Sequence, residues 1–532
     1  MKFKRMAFAA AFAASIIAAH AQSSIQNPIT QAVLKVYQEQ LDENPGDYNV
    51  LMSRADEYYR HSEYIRALDD VNRVLELVPA TDQDVTLRAY ALRGGIYNET
   101  KRFNDALADF TKASELAPDS YAILYQKANV EYMLGHNSAA KADYQRLTRL
   151  NSHAAEGYIG QARVAVKENN LGMANELLVM AVNLDPNNAE TYVRRASVRR
   201  QMGDHNGAVD DLVLALSTDN RHERAMTELI DYGNQNYAAT MAGLSNAIAQ
   251  APTVGMFRYI RAMIAQAHYH YLAAIQDYQT ILDEHLYDYR GIYASIAECQ
   301  FALGDYDKAL QNVDYALGAI RDNASYFCLR SKILRALGRN DEAIQAGADA
   351  LAVDRQSCEA LTEMALGYVA TGNYDQASAL LGEAILNDAE APLYRMLRAW
   401  VLEKYLDKPA PASQLYEQVA DMDQFFVDNP RSLKGFALLF LGRDNEAKRW
   451  MNTILTTGND TDGLNHYYGA CFYAQAGDLE KAMECARQAL ELGFANYHDW
   501  TEATDGRINV APLRDDLTFL NMLHRYNSIF GK

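Results

Sequence analysis

The sequence predicts an all-α chain, a solenoid of antiparallel helix pairs, on three observations. An alanine recurs at 67, 106, 140, 174, 208, 274, 309, 343, 377, 412, 447 and 482, with Thr240 in the slot between 208 and 274; most steps are 34 or 35 residues. A second small residue stands twelve positions earlier, as in Ala55, Gly94, Ala128, Ala162, Ala196, Ala262, Ala297, Ser331, Ala365, Gly435 and Ala470. The breakers keep the same beat: Pro45, Pro79, Pro118, Pro186 and Pro252 fall where a second helix should end, and Gly135, Gly203, Gly304, Gly338, Gly372, Gly442 and Gly477 fall between the two helices. Small residues on both sides of a turn let two helix axes approach closely. A feature written at constant period belongs to a scaffold rather than to an active-site loop.

The bulk numbers agree. The chain has 532 residues, 49% hydrophobic and 22% charged, an ordinary globular composition. Its opening, "MKFKRMAFAAAFAASIIAAHAQSS", carries Lys2, Lys4 and Arg5, then an apolar run, then a small-x-small site at Ala19 and Ala21. This pattern predicts a signal peptide over 1–21 with cleavage after Ala21, hence export to the periplasm or beyond. No later stretch is apolar enough to cross a membrane, so no transmembrane anchor is expected after signal removal. The net charge is −19, and losing the three basic residues of the leader leaves −22. Such a field repels nucleic acid and anionic membrane, and neither is an expected partner.

Residues 22–47 read as an N-terminal capping helix, because Pro45 lies 34 residues before Pro79. A tandem array of about 13 repeats should fill 48–496. In "LRAYALRGGIYNETKRFNDALADFTKASELAPDS", Tyr90, Gly94 and Tyr97 mark one helix face, and Ala106, Phe110 and Ala113 mark the next. Tyr64, Phe103, Tyr306 and Tyr374, two residues past the turn position, are expected to pack beneath it. Two repeats depart from the pattern. One places Glu228 where the first small residue belongs; the other places Arg398 near that slot and inserts a Pro-rich turn. A capping segment over 497–532 closes the array, with Leu513, Leu517, Leu520 and Leu523 as its apolar stripe.

A 34-residue helix–turn–helix with these small residues, an aromatic near the turn and a proline at its end resembles the tetratricopeptide repeat (TPR). The resemblance covers nearly all of the chain beyond the leader. It implies a right-handed superhelix and a concave groove lined by the first helix of each pair. It also implies a protein-binding scaffold working through that groove.

No catalytic motif or cofactor signature is present, and an enzyme is not expected. The "HYHY" pair, His268 and His270, reads as turn histidines exposed to water. Asp69/Asp70, Asp210/Asp211 and Asp515/Asp516 read as solvated helix faces, since neighbours on a helix diverge by roughly 100°. The five cysteines show no metal spacing and read as small core residues. "RRASVRR" at 194–200 stands out in an acidic chain. With the groove register implied by the resemblance, Arg194 and Arg200 face the groove beside Arg163 and Lys167. Tyr125, Asn129 and Tyr132 flank them. This candidate patch would suit a protein partner with an acidic or extended segment. Glu190 and Gly160 break the residue set by which family members clamp acidic chaperone tails, and that subtype is rejected. Phe436, Leu439, Phe440, Tyr467 and Tyr468 form a second candidate groove floor. The high tyrosine count, 35, leaves a glycan- or small-ligand-binding solenoid as the alternative.

Overall fold

A computed structural model describes residues 27–287, 289–422, 431–457, 460–502 and 506–531. The expected leader at 1–21 lies outside the described residues. Among the described residues there is no strand, and helices follow one another in antiparallel pairs. No described helix is long and apolar enough to cross a membrane. The chain divides into two compact units, 1–229 and 230–532.

Periodic alanines set the helix contacts. All twelve are at most 1% exposed, and Thr240 is fully buried. Where serine replaces the partner residue, Ser331 keeps the close approach and donates its hydroxyl to the Ala343 carbonyl, 2.7 Å away. The prolines each stand two residues beyond a second helix, as Pro79 does after Tyr64–Leu77 and Pro186 after Leu171–Leu184. The turn inside most pairs demands a left-handed residue two positions past the first helix. Gly304 supplies it with φ 76°. The same slot is filled without glycine by Ser62, Lys101, Asn169 and Tyr269, at φ between 56° and 63°. Tyr64, Phe103, Tyr306 and Tyr374 open their second helices and pack half-buried against the local cores.

In the N-terminal unit the core is a chain of small clusters, each shared by neighbouring helices. Helix Pro28–Glu43 precedes the first pair, Tyr48–Arg60 and Tyr64–Leu77. First helices of successive pairs touch directly: Tyr48–Arg60 with Gln83–Glu99, then Tyr121–Met133 with Ala155–Lys167. They therefore form the inner side of this unit's curve.

An ion pair that the acidic doublets concealed repeats through the fold. Arg54–Asp70, Arg93–Asp109, Lys127–Asp143, Arg195–Asp211 and Arg261–Asp277 each join the two helices of one pair across 16 residues, at 2.6–2.7 Å. The expectation of solvated faces is thus corrected for Asp70 and Asp211, which are 5% and 0% exposed. Asp69 and Asp210 do face solvent. A carboxylate this buried persists only when paired and hydrogen-bonded, and the bidentate guanidinium supplies both.

The C-terminal unit is built differently. One large core runs from Ala262 to Phe530 and joins helices more than 200 residues apart in sequence. Its last residues are not a lid on the final pair alone. Leu513 and Leu523 are buried as expected, but Leu517 and Leu520 are 75% and 45% exposed. Phe519 and Phe530 take the buried positions instead, because helix Leu517–Arg525 turns Phe519 toward Trp500 and the last helix, Asn527–Phe530, sets Phe530 against Tyr497. Two local departures are also resolved. At the shortened turn between Glu223–Gln235 and Tyr237–Gln250, Gly233 makes the close approach, with Thr240 and Ile264 against it, and Glu228 pairs with Arg224. In Pro392–Lys404 the buried small residue is Ala399, while the Arg398 guanidinium lies over Gly382.

Candidate functional site

The candidate groove residues of the N-terminal unit come from the ends of its first helices. Tyr132 and Met133 close Tyr121–Met133, Lys167 closes Ala155–Lys167, and Arg200 is next to last in Ala189–Gln201. Asn129, one turn earlier, ties the site to the scaffold. Its side-chain oxygen accepts from the Tyr144 hydroxyl at 2.8 Å and from Arg163 Nη1 at 2.9 Å. Burial raises the Tyr144 pKa, which keeps that hydroxyl protonated and donating. The Arg163 guanidinium lies 4.2 Å from the Tyr132 ring centroid and the Lys167 ammonium 3.7 Å from it. Lys167 also donates to the Tyr132 carbonyl at 2.8 Å. One tyrosine thus fixes two cations in place.

The remaining sequence candidates divide. Tyr125 is half-buried against the core cluster that contains Leu124, Ala128 and Tyr144 and serves packing. Arg194 is bound to Glu190 at 2.7 Å, and Glu190 also binds Arg224 at 2.9 Å, so its charge is compensated. Arg195 and Arg199 both reach Asp211. Of the "RRASVRR" basic residues, Arg200 alone is exposed without a carboxylate partner among the described residues. Asn129, Tyr132, Arg163 and Lys167, which periodicity places in one register, are in contact, but periodicity could not show which arginines were consumed by the frame. The 16-residue Arg–Asp spacing was the available signal.

The second candidate floor is occupied by the chain itself. Phe436 is buried between Phe440 and Phe472. Tyr467 stacks on Phe494 at 4.6 Å and meets Trp500 edge-on at 4.9 Å. Other first-helix ends also receive the C-terminal segment. Phe301 contacts the His498 ring at 4.4 Å. Glu403 accepts from Arg507 at 2.8 Å, and Phe440 lies 4.0 Å beneath the same guanidinium. Gln475 donates to the Asn509 carbonyl at 3.2 Å. No sequence signal marks these contacts, which link residues 34 to 197 positions apart.

Of the histidine pair, His270 is exposed as expected and His268 needs correction. His268 is 7% exposed, not solvated, because the Tyr237 ring covers it at 4.6 Å and stacks on His270 at 5.1 Å. All five cysteines are unpaired; Cys299, Cys328, Cys471 and Cys485 are buried and Cys358 half-buried. Among the described residues no group of His, Cys, Asp and Glu side chains could hold a metal ion.

Comparison with known proteins now bears on this geometry. Tetratricopeptide-repeat family models match residues 87–120, 334–401 and 470–493. The human mitochondrial import receptor subunit TOM70 is 26% identical over 205 residues, which is 36% of this chain and 33% of that protein. The mouse protein of the same name is 24% identical over 206 residues, with the same coverage. The chain thus spans about a third of the length of the curated relatives it matches. Among solved structures, yeast Tom70 aligns with 79% of this chain and 98% of its own at 15% identity and TM-score 0.35. A tetratricopeptide repeat protein from Parabacteroides merdae aligns with 48% of this chain and 98% of its own at 16% identity and TM-score 0.33. The chain is a tetratricopeptide-repeat protein.

Proposed function

We propose that this tetratricopeptide-repeat chain is a non-enzymatic scaffold of the cell envelope that holds partner proteins in the concave groove of its N-terminal unit. The contrast between the two units carries the reading. In the C-terminal unit four first-helix ends, at Phe301, Glu403, Phe440 and Gln475, meet the chain's own last residues. In the N-terminal unit the corresponding residues Met133, Lys167 and Arg200 are exposed. Tandem helix pairs present extended surfaces suited to peptides and helices. The TOM70 likeness, in proteins named as import receptor subunits, fits a role in handling other polypeptides. Export rests on the leader pattern at 1–21. A glycan site would need an open aromatic face, and two cations lie over the Tyr132 ring.

A photo-cross-linking residue at Met133, in the full chain expressed in its own cells, tests the reading. A discrete protein adduct, lost when the probe is moved to the exposed back of the unit at Ile65, is expected. Absence of any protein adduct at Met133 would overturn it. Cell fractionation, with Gln22 as the expected first residue of the exported chain, tests the location.

A further inference from the structure

In the C-terminal unit four first-helix ends meet the chain's own terminal residues, and they share one register. Phe301 and Glu403 are next to last in Ile292–Ala302 and Pro392–Lys404. Phe440 and Gln475 are last in Ser432–Phe440 and Leu464–Gln475. Each meets the chain's own terminal segment: an aromatic against His498, a carboxylate on Arg507, an aromatic under Arg507, and an amide on the Asn509 backbone carbonyl. The selectivity is plain. The held segment brings a cation, Arg507, and the groove answers with a carboxylate and a π face.

In the N-terminal unit the same register ends in Arg60 and Glu99 in the first two pairs and turns basic over the next three. There its slots hold Tyr132 and Met133, then Val166 and Lys167, then Arg200. Arg163 joins them from one turn back. Most cations of this unit are compensated, as Arg54, Arg88, Arg93, Lys127, Arg194 and Arg195 are. Arg163, Lys167 and Arg200 have no carboxylate partner among the described residues, although acidic residues outnumber basic ones in the chain 69 to 50. Two of them are held in place before any partner arrives, which lowers the ordering cost of binding. Met133, 53% exposed, offers an adaptable apolar contact beside them.

We propose, resting on the scaffold reading above, that the N-terminal groove holds an extended acidic segment of a partner protein. Its carboxylates are taken by Arg163, Lys167 and Arg200, and its apolar side chains rest on Met133. The register of the grip is the one at which the C-terminal unit meets His498, Arg507 and Asn509, with cations in place of Glu403.

Three fluorescent peptides of equal length, alternating Glu and Leu, Gln and Leu, or Lys and Leu, are titrated against the full chain. The Glu/Leu peptide should bind at least about tenfold more tightly than the others, and its affinity should fall as salt is raised. The double variant Lys167→Glu/Arg200→Glu, checked for an unchanged melting temperature, should lose that preference, and Arg163→Gln should weaken it. Equal binding of the Glu/Leu and Gln/Leu peptides, or unaltered binding by the double variant, would overturn the proposal. So would displacement by inorganic phosphate beyond that by chloride at equal ionic strength, since the site would then be a simple anion site. If Met133 cross-links a partner whose attached segment lacks acidic residues, this proposal falls and the scaffold reading stands. If no protein cross-links there, both fall.

Discussion

The Tyr306 hydroxyl and Nδ1 of His498 lie 2.7 Å apart, joining the second helix of one pair to a segment 192 residues later. Phe301 covers the imidazole at 4.4 Å. Burial, reinforced by the charges of Lys332, Arg335 and Arg514, pushes the His498 pKa down to about 3. The C-terminal segment is therefore pinned by a neutral histidine.

That histidine makes the pin sensitive to acid. In the unfolded chain the ring takes up a proton near pH 6.5, whereas in the folded chain it resists until about pH 3. Its contribution to stability is complete above the unfolded value and is lost as pH falls from there toward the folded one. The loss is at most about 1.4 kcal/mol per pH unit. Relative to His498→Gln, the natural chain should lose stability between about pH 6 and pH 4. Parallel denaturation curves for the two proteins across that range would refute this.

Trp500 is the anchor of the same segment, fully buried and donating through Nε1 to the Phe494 carbonyl at 3.2 Å. Trp500→Ala should cost about 3–5 kcal/mol in the C-terminal unit. It should also open residues 494–531 to protease while the N-terminal unit stays protected. Protection of the C-terminal segment in the variant would show that its other contacts suffice.

The acidic doublets offer an internal control. Asp211→Ala leaves Arg195 buried without its carboxylate and should cost about 3–5 kcal/mol by chemical denaturation. Asp210→Ala, one residue away on solvent, should change stability by about 0.5 kcal/mol or less. Equal effects would mean that the ion pair adds nothing to the joint between the two helices.

Gly160 and Gly338 separate two uses of glycine. At Gly160 an added Cβ would lie 2.2 Å from Cδ1 of Tyr144, the ring that holds Asn129. Gly160→Ala should cost about 1–3 kcal/mol and also weaken binding at Tyr132. At Gly338 the added Cβ meets nothing within 4 Å, and only the left-handed φ of 73° opposes it. Gly338→Ala should cost about 1–2 kcal/mol with binding unchanged. Calorimetry and peptide titration on both variants check the contrast.

The sequence by itself determined the frame. An alanine or threonine at constant spacing can be read one repeat at a time, because each helix pair packs on its neighbours and carries its own turn and breaker. The groove patch was partly legible for the same reason: Asn129, Tyr132, Arg163 and Lys167 lie one repeat apart, so register alone brings them together. Register could not tell Arg200 from Arg194, because pairing depends on which side chain finds a carboxylate, and Glu190 takes Arg194. Nor could it foresee that Arg507 would reach Glu403, or His498 reach Tyr306. Those contacts depend on how far the C-terminal unit curves before its last residues arrive. That curvature sums small rotations at every helix joint, and only the tertiary structure adds them up. It left one groove covered by the chain itself and the other with its cations exposed.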